Sequence, residues 1–284
     1  MSPVSTIRPS AIAGTWYPGS APALRRAIEG YLAGAPAVTL PGKILALVCP
    51  HAGHVYSGPT AAHSYAQVRG VGFTRIILLG PLHRPLWGSR LGPFMVPAED
   101  AYATPLGNAP VDRGFIAELG QRVPLTTVRG DEEHSLEIQL PFLQVALERF
   151  SLVPIMLGEQ IADPGAATRL AALAAALADL ADDATLLIAS TDFTHLDNYA
   201  EVVRIDRKLV ELVAAFDVDA LAAALATEQV QACGATGLVA VLSAARRRGA
   251  TAAQVLAYST SGDVTGNKRP GTYCVGYLAA AAYG

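Results

Sequence analysis

Short apolar runs alternate with helix-period segments along this chain, and that alternation restricts it to a small set of folds. KILALVC (43–49), RIILLG (75–80), LVPIML (152–157), TLLIAS (185–190) and QVLAYS (254–259) read as buried strands. TYCVGYLA (272–279) and GPFMV (92–96) extend the set. Helical patterns fall near 20–33, 59–69, 112–121, 138–149, 163–181, 197–214, 217–226 and 236–248. Uninterrupted apolar strands separated by helices imply an α/β fold: a central, mostly parallel or mixed sheet flanked by helices on both faces. No proline-rich or serine-rich linker divides the 284 residues and no internal repeat is seen, so one domain over 1–284 is expected.

Charge narrows the partners. The formal net charge is −3, and Arg246, Arg247 and Arg248 form the one basic block, read as the solvated last turn of a helix where cations suit the dipole. No attraction for nucleic acid is expected. Cys49, Cys233 and Cys274 are odd in number, widely spaced and without a CxxC pair, which fits a reducing compartment rather than a disulfide framework. The first twenty residues lack a basic segment followed by an apolar core, so no secretory signal is read and a cytoplasmic location is expected. In ADPGAATRLAALAAALADLADD, Leu170, Leu173, Leu177 and Leu180 recur at helical spacing beside Arg169 and Asp179. That pattern describes a helix packed by one stripe, not a membrane span.

In open α/β sheets, ligands bind beyond the carboxyl ends of the strands. The polar residues that follow the apolar runs are therefore the candidates. His51 follows KILALVCP, His83 follows RIILLGPL, and Ser190, Thr191, Asp192 and His195 cluster at the end of TLLIA. A single histidine in a tight turn is often just bonded to nearby backbone. Several reaching one sheet edge instead suggest metal ligands, because neutral imidazole is the commonest of these. Two histidines and a carboxylate would leave one face of an iron(II) ion open, which makes Asp192 eligible as third ligand. Cys233 is eligible too: it stands just before the helical run from Thr236, where the dipole favours a thiolate, although free cysteine is usually a small buried hydrophobe.

Asp192 could otherwise cap a helix, and His195 could serve as general acid and base. His54, three residues after His51, reads as a wall residue or added ligand. In DEEHSLEIQLPF, most of the charges read as a solvated helix entrance, with His134 either structural or lining a pocket; His63 reads as structural. A serine hydrolase is disfavoured, since no GxSxG elbow or HGGG loop is present, and the glycines lack nucleotide-binding spacing.

These strings together resemble the Memo family, called AmmeMemoRadiSam system protein B in bacteria and archaea. The resemblance runs nearly end to end, through RPSAIAGTWYP, CPHAGHVYSGPTAAHSY, ILLGPLH, DEEHSLEIQLPFLQ, IASTDFTH, CGATGLVAVL and YSTSGDVTG with TYCVGYLA. It implies a fold like that of the class III extradiol dioxygenases. It implies that His51 and His83 are metal ligands, with Cys233 in place of the dioxygenase carboxylate. His195 would match the acid/base histidine with Asp192 beside it, and Trp16 and His134 would line the cavity. Iron(II) is the first metal implied, with copper or zinc as alternatives given the soft thiolate. The reaction implied is a dioxygenase-type oxidation of a small organic molecule. A non-catalytic copper- or peptide-binding protein and a zinc hydrolase are the rivals. AMMECR-type and radical-SAM proteins are the partners implied by association. His54, Leu82 and Ala235 depart from the residues usual in the family at those places.

Overall fold

The computed structural model describes residues 6–83 and 92–284. Its centre is a sheet of mixed direction. The strands run in the order His195–Leu196, Cys274–Tyr283, Ile44–Cys49, Thr185–Ser190, Arg75–Pro81, Ser151–Leu157, Phe94–Pro97 and Thr126–Val128, and Ala252–Thr260 also pairs with Cys274–Tyr283. Four neighbours in the middle are mutually parallel: Ile44–Cys49, Thr185–Ser190, Arg75–Pro81 and Ser151–Leu157. Antiparallel pairings close the sheet on either side of them.

The parallel strands are the ones whose sequences are apolar without interruption, and nearly every residue in them is buried. A strand that alternates polar and apolar residues can leave one face in water; these cannot. Helices cover both faces accordingly. Ala166–Leu180 packs on Ala235–Arg247, which rests on Thr185–Ser190 and Arg75–Pro81. Ala21–Ala33, His54–Ala66 and Leu140–Ala146 pack together, with His54–Ala66 against Cys274–Tyr283 and Ile44–Cys49. Leu170, Leu173 and Leu177 are buried, as the stripe required. No helix among the described residues is long and apolar enough to cross a membrane.

Three local differences from the expectations have physical causes. The second helix begins at His54 rather than near 59, with Pro59 inside it. A proline there forfeits one bond, to the carbonyl of Val55, on a turn whose Val55 is exposed. Arg248 is not solvated: it is half-buried and its guanidinium donates to the carbonyls of Thr185 (3.0 Å) and Asp182 (2.6 Å). A small separate sheet, Ile7–Arg8 with Ala101–Thr104 and Gly107–Pro110, was not expected because AYATPLGNAP carries no sustained β pattern. Its register places Arg8 opposite Tyr102, inside the protein.

Candidate metal centre

Because the four central strands are parallel, the residues just past Cys49, Pro81, Leu157 and Ser190 share one sheet edge. His51 is held there by both its backbone and its ring. Its N–H donates to Asp192 Oδ1 at 2.7 Å, and its Nδ1 lies 3.1 Å from Ser190 Oγ. The Ser190 hydroxyl spends its one proton on the Ser135 carbonyl, 2.6 Å away, and accepts from Gln139 Nε2 at 2.8 Å. With no proton left to give, Ser190 must accept from His51 Nδ1. The tautomer follows: Nε2 of His51 carries the lone pair.

His83 is fixed by a different group to the same effect. The Glu133 carboxylate accepts from the His83 N–H (2.6 Å) and faces His83 Nδ1 at 3.1 Å, while also accepting from the backbone N–H groups of His134 and Ser135. Burial alone would raise the Glu133 carboxyl, but the hydrogen bond from His83, the nearby His134 and the Ser135 N–H bring it to about 2. An ionised Glu133 makes Nδ1 of His83 the donor and leaves Nε2 with the lone pair that a cation would need. This is the usual carboxylate–histidine support of a metal site. Gly80 permits it, since a Cβ there would lie 2.7 Å from Ser135 Oγ and push the Glu133 turn off the strand.

Cys233 arrives from the opposite direction, one residue before Gly234, which caps the helix Ala235–Arg247. Gly234 lies so close to the end of Thr185–Ser190 that a Cβ would be 2.6 Å from the Ser190 carbonyl. The sulfur accepts from the Asp192 N–H at 3.2 Å and sits 3.1 Å from His51 Nε2. The donor atoms of His51, His83 and Cys233 all lie within 4.8 Å of one another. The expected thiolate bias of the helix terminus is outweighed: burial, then the Asp192 charge, push the Cys233 thiol well above its ordinary range. The protonated sulfur has two acceptors in reach, His51 Nε2 at 3.1 Å and the Asp192 carbonyl at 3.4 Å, and binding a cation would exchange its proton for metal. Two lone-pair imidazole nitrogens and one displaceable thiol proton fit iron(II), copper or zinc, so the donor set matches the implied metal.

Glu133 and His134 also lie within 4.8 Å of His83. Glu133 is saturated by donors, so this second group reads as the scaffold around His83. Replacing Glu133 with Gln, which keeps the shape but cannot stay anionic, is expected to weaken metal affinity about 10- to 100-fold, measured by competition with a chelator.

A cavity of about 640 Å³ opens above the triad and is lined by Trp16, His51, His83, His134, Asp192 and His195 among others. Trp16 and His134 are in ring contact (4.3 Å), and His134 stacks on His83 at 4.6 Å. Burial pushes Asp192 up to about 7, against the N–H bonds of His51 and Ala52. His195 Nδ1 donates to the Phe193 carbonyl at 2.7 Å, so Nε2 is the atom able to take a proton, and burial holds the ring below its ordinary value. His54 does not line this cavity. The helix that starts at His54 turns its ring inward, where Nε2 bonds the Ile138 carbonyl (2.9 Å) beside Tyr17 and Phe142, and burial lowers it to about 4. It is packing behind the wall.

A family model described as Memo-like protein matches residues 8–281. The chain belongs to the Memo family. This Memo-family chain is 34% identical over 278 residues to a MEMO1 family protein of Methanosarcina mazei, covering 96% of the chain and 98% of that relative. It is 33% identical over 288 residues to one of Methanopyrus kandleri, with 96% and 97% covered. A relative from Thermoplasma acidophilum is 34% identical over 267 residues, with 92% and 94% covered. The fold of this Memo protein, a large mixed sheet flanked by helices, is that of the class III extradiol dioxygenases.

Sequence reasoning missed Glu133 as the partner of His83, and Ser190 and Gln139 as the groups that set the His51 tautomer. It also read most of the charges of DEEHSLEIQLPF as solvated, whereas Asp131, Glu133 and Glu137 are buried. Asp131 and Glu137 meet Arg8, more than 120 positions away, and no local pattern announces such a partner.

Proposed function

We propose that this Memo protein is a metal-dependent oxidoreductase of dioxygenase type, using non-haem iron(II) held by His51, His83 and Cys233 on a small organic substrate. The observation that carries the reading is the convergence of those three donors beside a cavity that His51 and His83 line together with His195. A bound ferrous ion of this kind supplies open coordination positions for dioxygen and substrate. The chain's own residues do the rest. His195 Nε2 takes a proton from a substrate hydroxyl and returns it to the product. Asp192 holds the His51 backbone in place through its 2.7 Å bond. Trp16 and His134 wall the substrate from water on the side of the histidines.

The test is anaerobic purification followed by metal analysis and oxygen uptake. His83→Ala is expected to lose the metal, and equal occupancy in wild type and variant would reject the ligand assignment. His195→Gln is expected to keep the metal and lose oxygen uptake by about 10²- to 10⁴-fold. The cysteine favours a second reading, in which copper(I) is held without turnover, because thiolate is a soft ligand. Tight copper(I) binding with no oxygen uptake would select it, and zinc content with oxygen-independent activity would select a hydrolase.

A further inference from the structure

Glu159 is a buried acidic residue that neither the triad nor the large cavity uses. It follows Ser151–Leu157, the fourth parallel strand, and therefore reaches the same sheet edge as His51, His83 and Asp192. Its Oε2 accepts from Arg169 Nε at 2.8 Å and Nη2 at 2.5 Å. Its Oε1 is buried without a hydrogen-bond partner, in a residue only 8% exposed. A carboxylate oxygen shut away from water with no donor is costly, and in native proteins it points to a bound water or ion.

Glu159 lines a second cavity of about 230 Å³, whose wall also includes His83, Cys233, Gln160 and Ala235. The large cavity is lined by His51 and His83 but not by Cys233. His83 thus borders both spaces. His195 and Asp192 face one of them, and Cys233 and Glu159 face the other.

We propose that the small cavity is the port by which the metal ion reaches the triad, with Glu159 Oε1, buried in its wall, as the oxygen ligand that receives the divalent cation once it has shed hydration water and before it reaches His83 and Cys233. The inference rests on the metal centre described above. Arg169 fixes the carboxylate through one oxygen and leaves the other to the cation. Oxygen ligands hold first-row divalent ions more weakly than imidazole and thiolate do, so passage from Glu159 to His83 and Cys233 runs toward tighter binding. Entry from this side leaves the large cavity to the substrate.

The experiment uses full-length protein stripped by chelator and cobalt(II) chloride as the probe. Loading is followed by the thiolate-to-cobalt absorption band, and release by transfer to excess chelator. Glu159→Gln, which can still accept from Arg169, is expected to slow loading and release about tenfold, the lower end of what a charged funnel contributes, with the same final absorbance. Ala235→Leu, which adds bulk to the small cavity without touching charge, is expected to slow loading to a similar degree. Wild-type rates in both variants overturn the port. Failure of the wild type to develop the cobalt–thiolate band would instead overturn the metal centre itself.

Discussion

Cys233→Ala is expected to abolish stoichiometric metal binding, with affinity reduced by more than about 100-fold, beyond the effect of losing an outer partner of a ligand. The variant leaves two imidazoles, His51 and His83, whose tautomers remain fixed by Ser190 and Glu133. Those neutral ligands cannot replace the charge and softness of sulfur. The fold should not suffer. In the absence of metal the sulfur contributes weak hydrogen bonds with the Asp192 N–H and His51, and alanine is a small apolar residue at the same place. The wild type should also bind metal more tightly as pH rises. Burial and Asp192 hold the Cys233 proton on, so each cation bound must release it, and raising the pH makes that release easier. Metal titrations at several pH values, paired with thermal melts of metal-free protein, check both statements. A Cys233→Ala protein that binds metal as the wild type does would remove cysteine from the site.

The second large effect concerns stability. Arg8→Met is expected to destabilise the fold by roughly 3–5 kcal/mol in urea unfolding, because it strips the partner from buried carboxylates. Arg8 is fully buried, donates to Asp131 Oδ1 at 2.9 Å and to Glu137, and reaches the Glu133 carbonyl at 2.7 Å. Methionine fills much of the volume but returns none of these bonds. The sign with pH can be worked out from Glu137. Burial would raise its carboxyl, but Arg8, Ser10, Tyr17 and the Ala11 N–H hold it below the ordinary carboxylate value. A group depressed in the folded state contributes stability above its unfolded value and loses it as pH falls through the folded one. Glu137 therefore makes the wild type weaken in acid below the ordinary glutamate range, while burial holds the Asp131 carboxyl above its ordinary value and contributes with the opposite sign. The gap between Arg8→Met and wild type should narrow there, since protonated carboxyls no longer need the arginine. Because Arg8 also holds the backbone of Glu133, the variant should bind metal less tightly even where it stays folded. A cost under about 1 kcal/mol, the scale of an exposed pair, would show that the network is not the tie described.

The central strands and most helices were legible because their cause is local. A strand buried on both faces must be apolar throughout, and KILALV, RIILL and TLLIA announce that without reference to any neighbour. The meeting of His51 and His83 was legible for a related reason, since each follows a strand at the edge where such folds bind ligands, whereas position left Cys233 and Asp192 both open and the family resemblance singled out the cysteine. His54 shows the limit. Three residues from His51, it has the same chemistry, but an early helix start rotates its ring into the core against the Ile138 carbonyl. Glu133 shows the converse: in a run of charges that looks solvated, it is buried because the chain folds it against His83 and the Arg8 network.

By itself, the sequence determined the layers of this protein, the order of its central strands and main helices, and the kinds of atom available at one sheet edge. Each of these depends on apolar periodicity or on a residue's place relative to a strand end, quantities that a few adjacent residues settle. Tertiary structure alone decided which imidazole nitrogen faces the sulfur, which carboxylates are buried, and which side of the triad each cavity reaches. Those outcomes turn on hydrogen bonds between residues far apart in the chain, such as Ser190 with Ser135 and His51, and folding is what brings their donors and acceptors together.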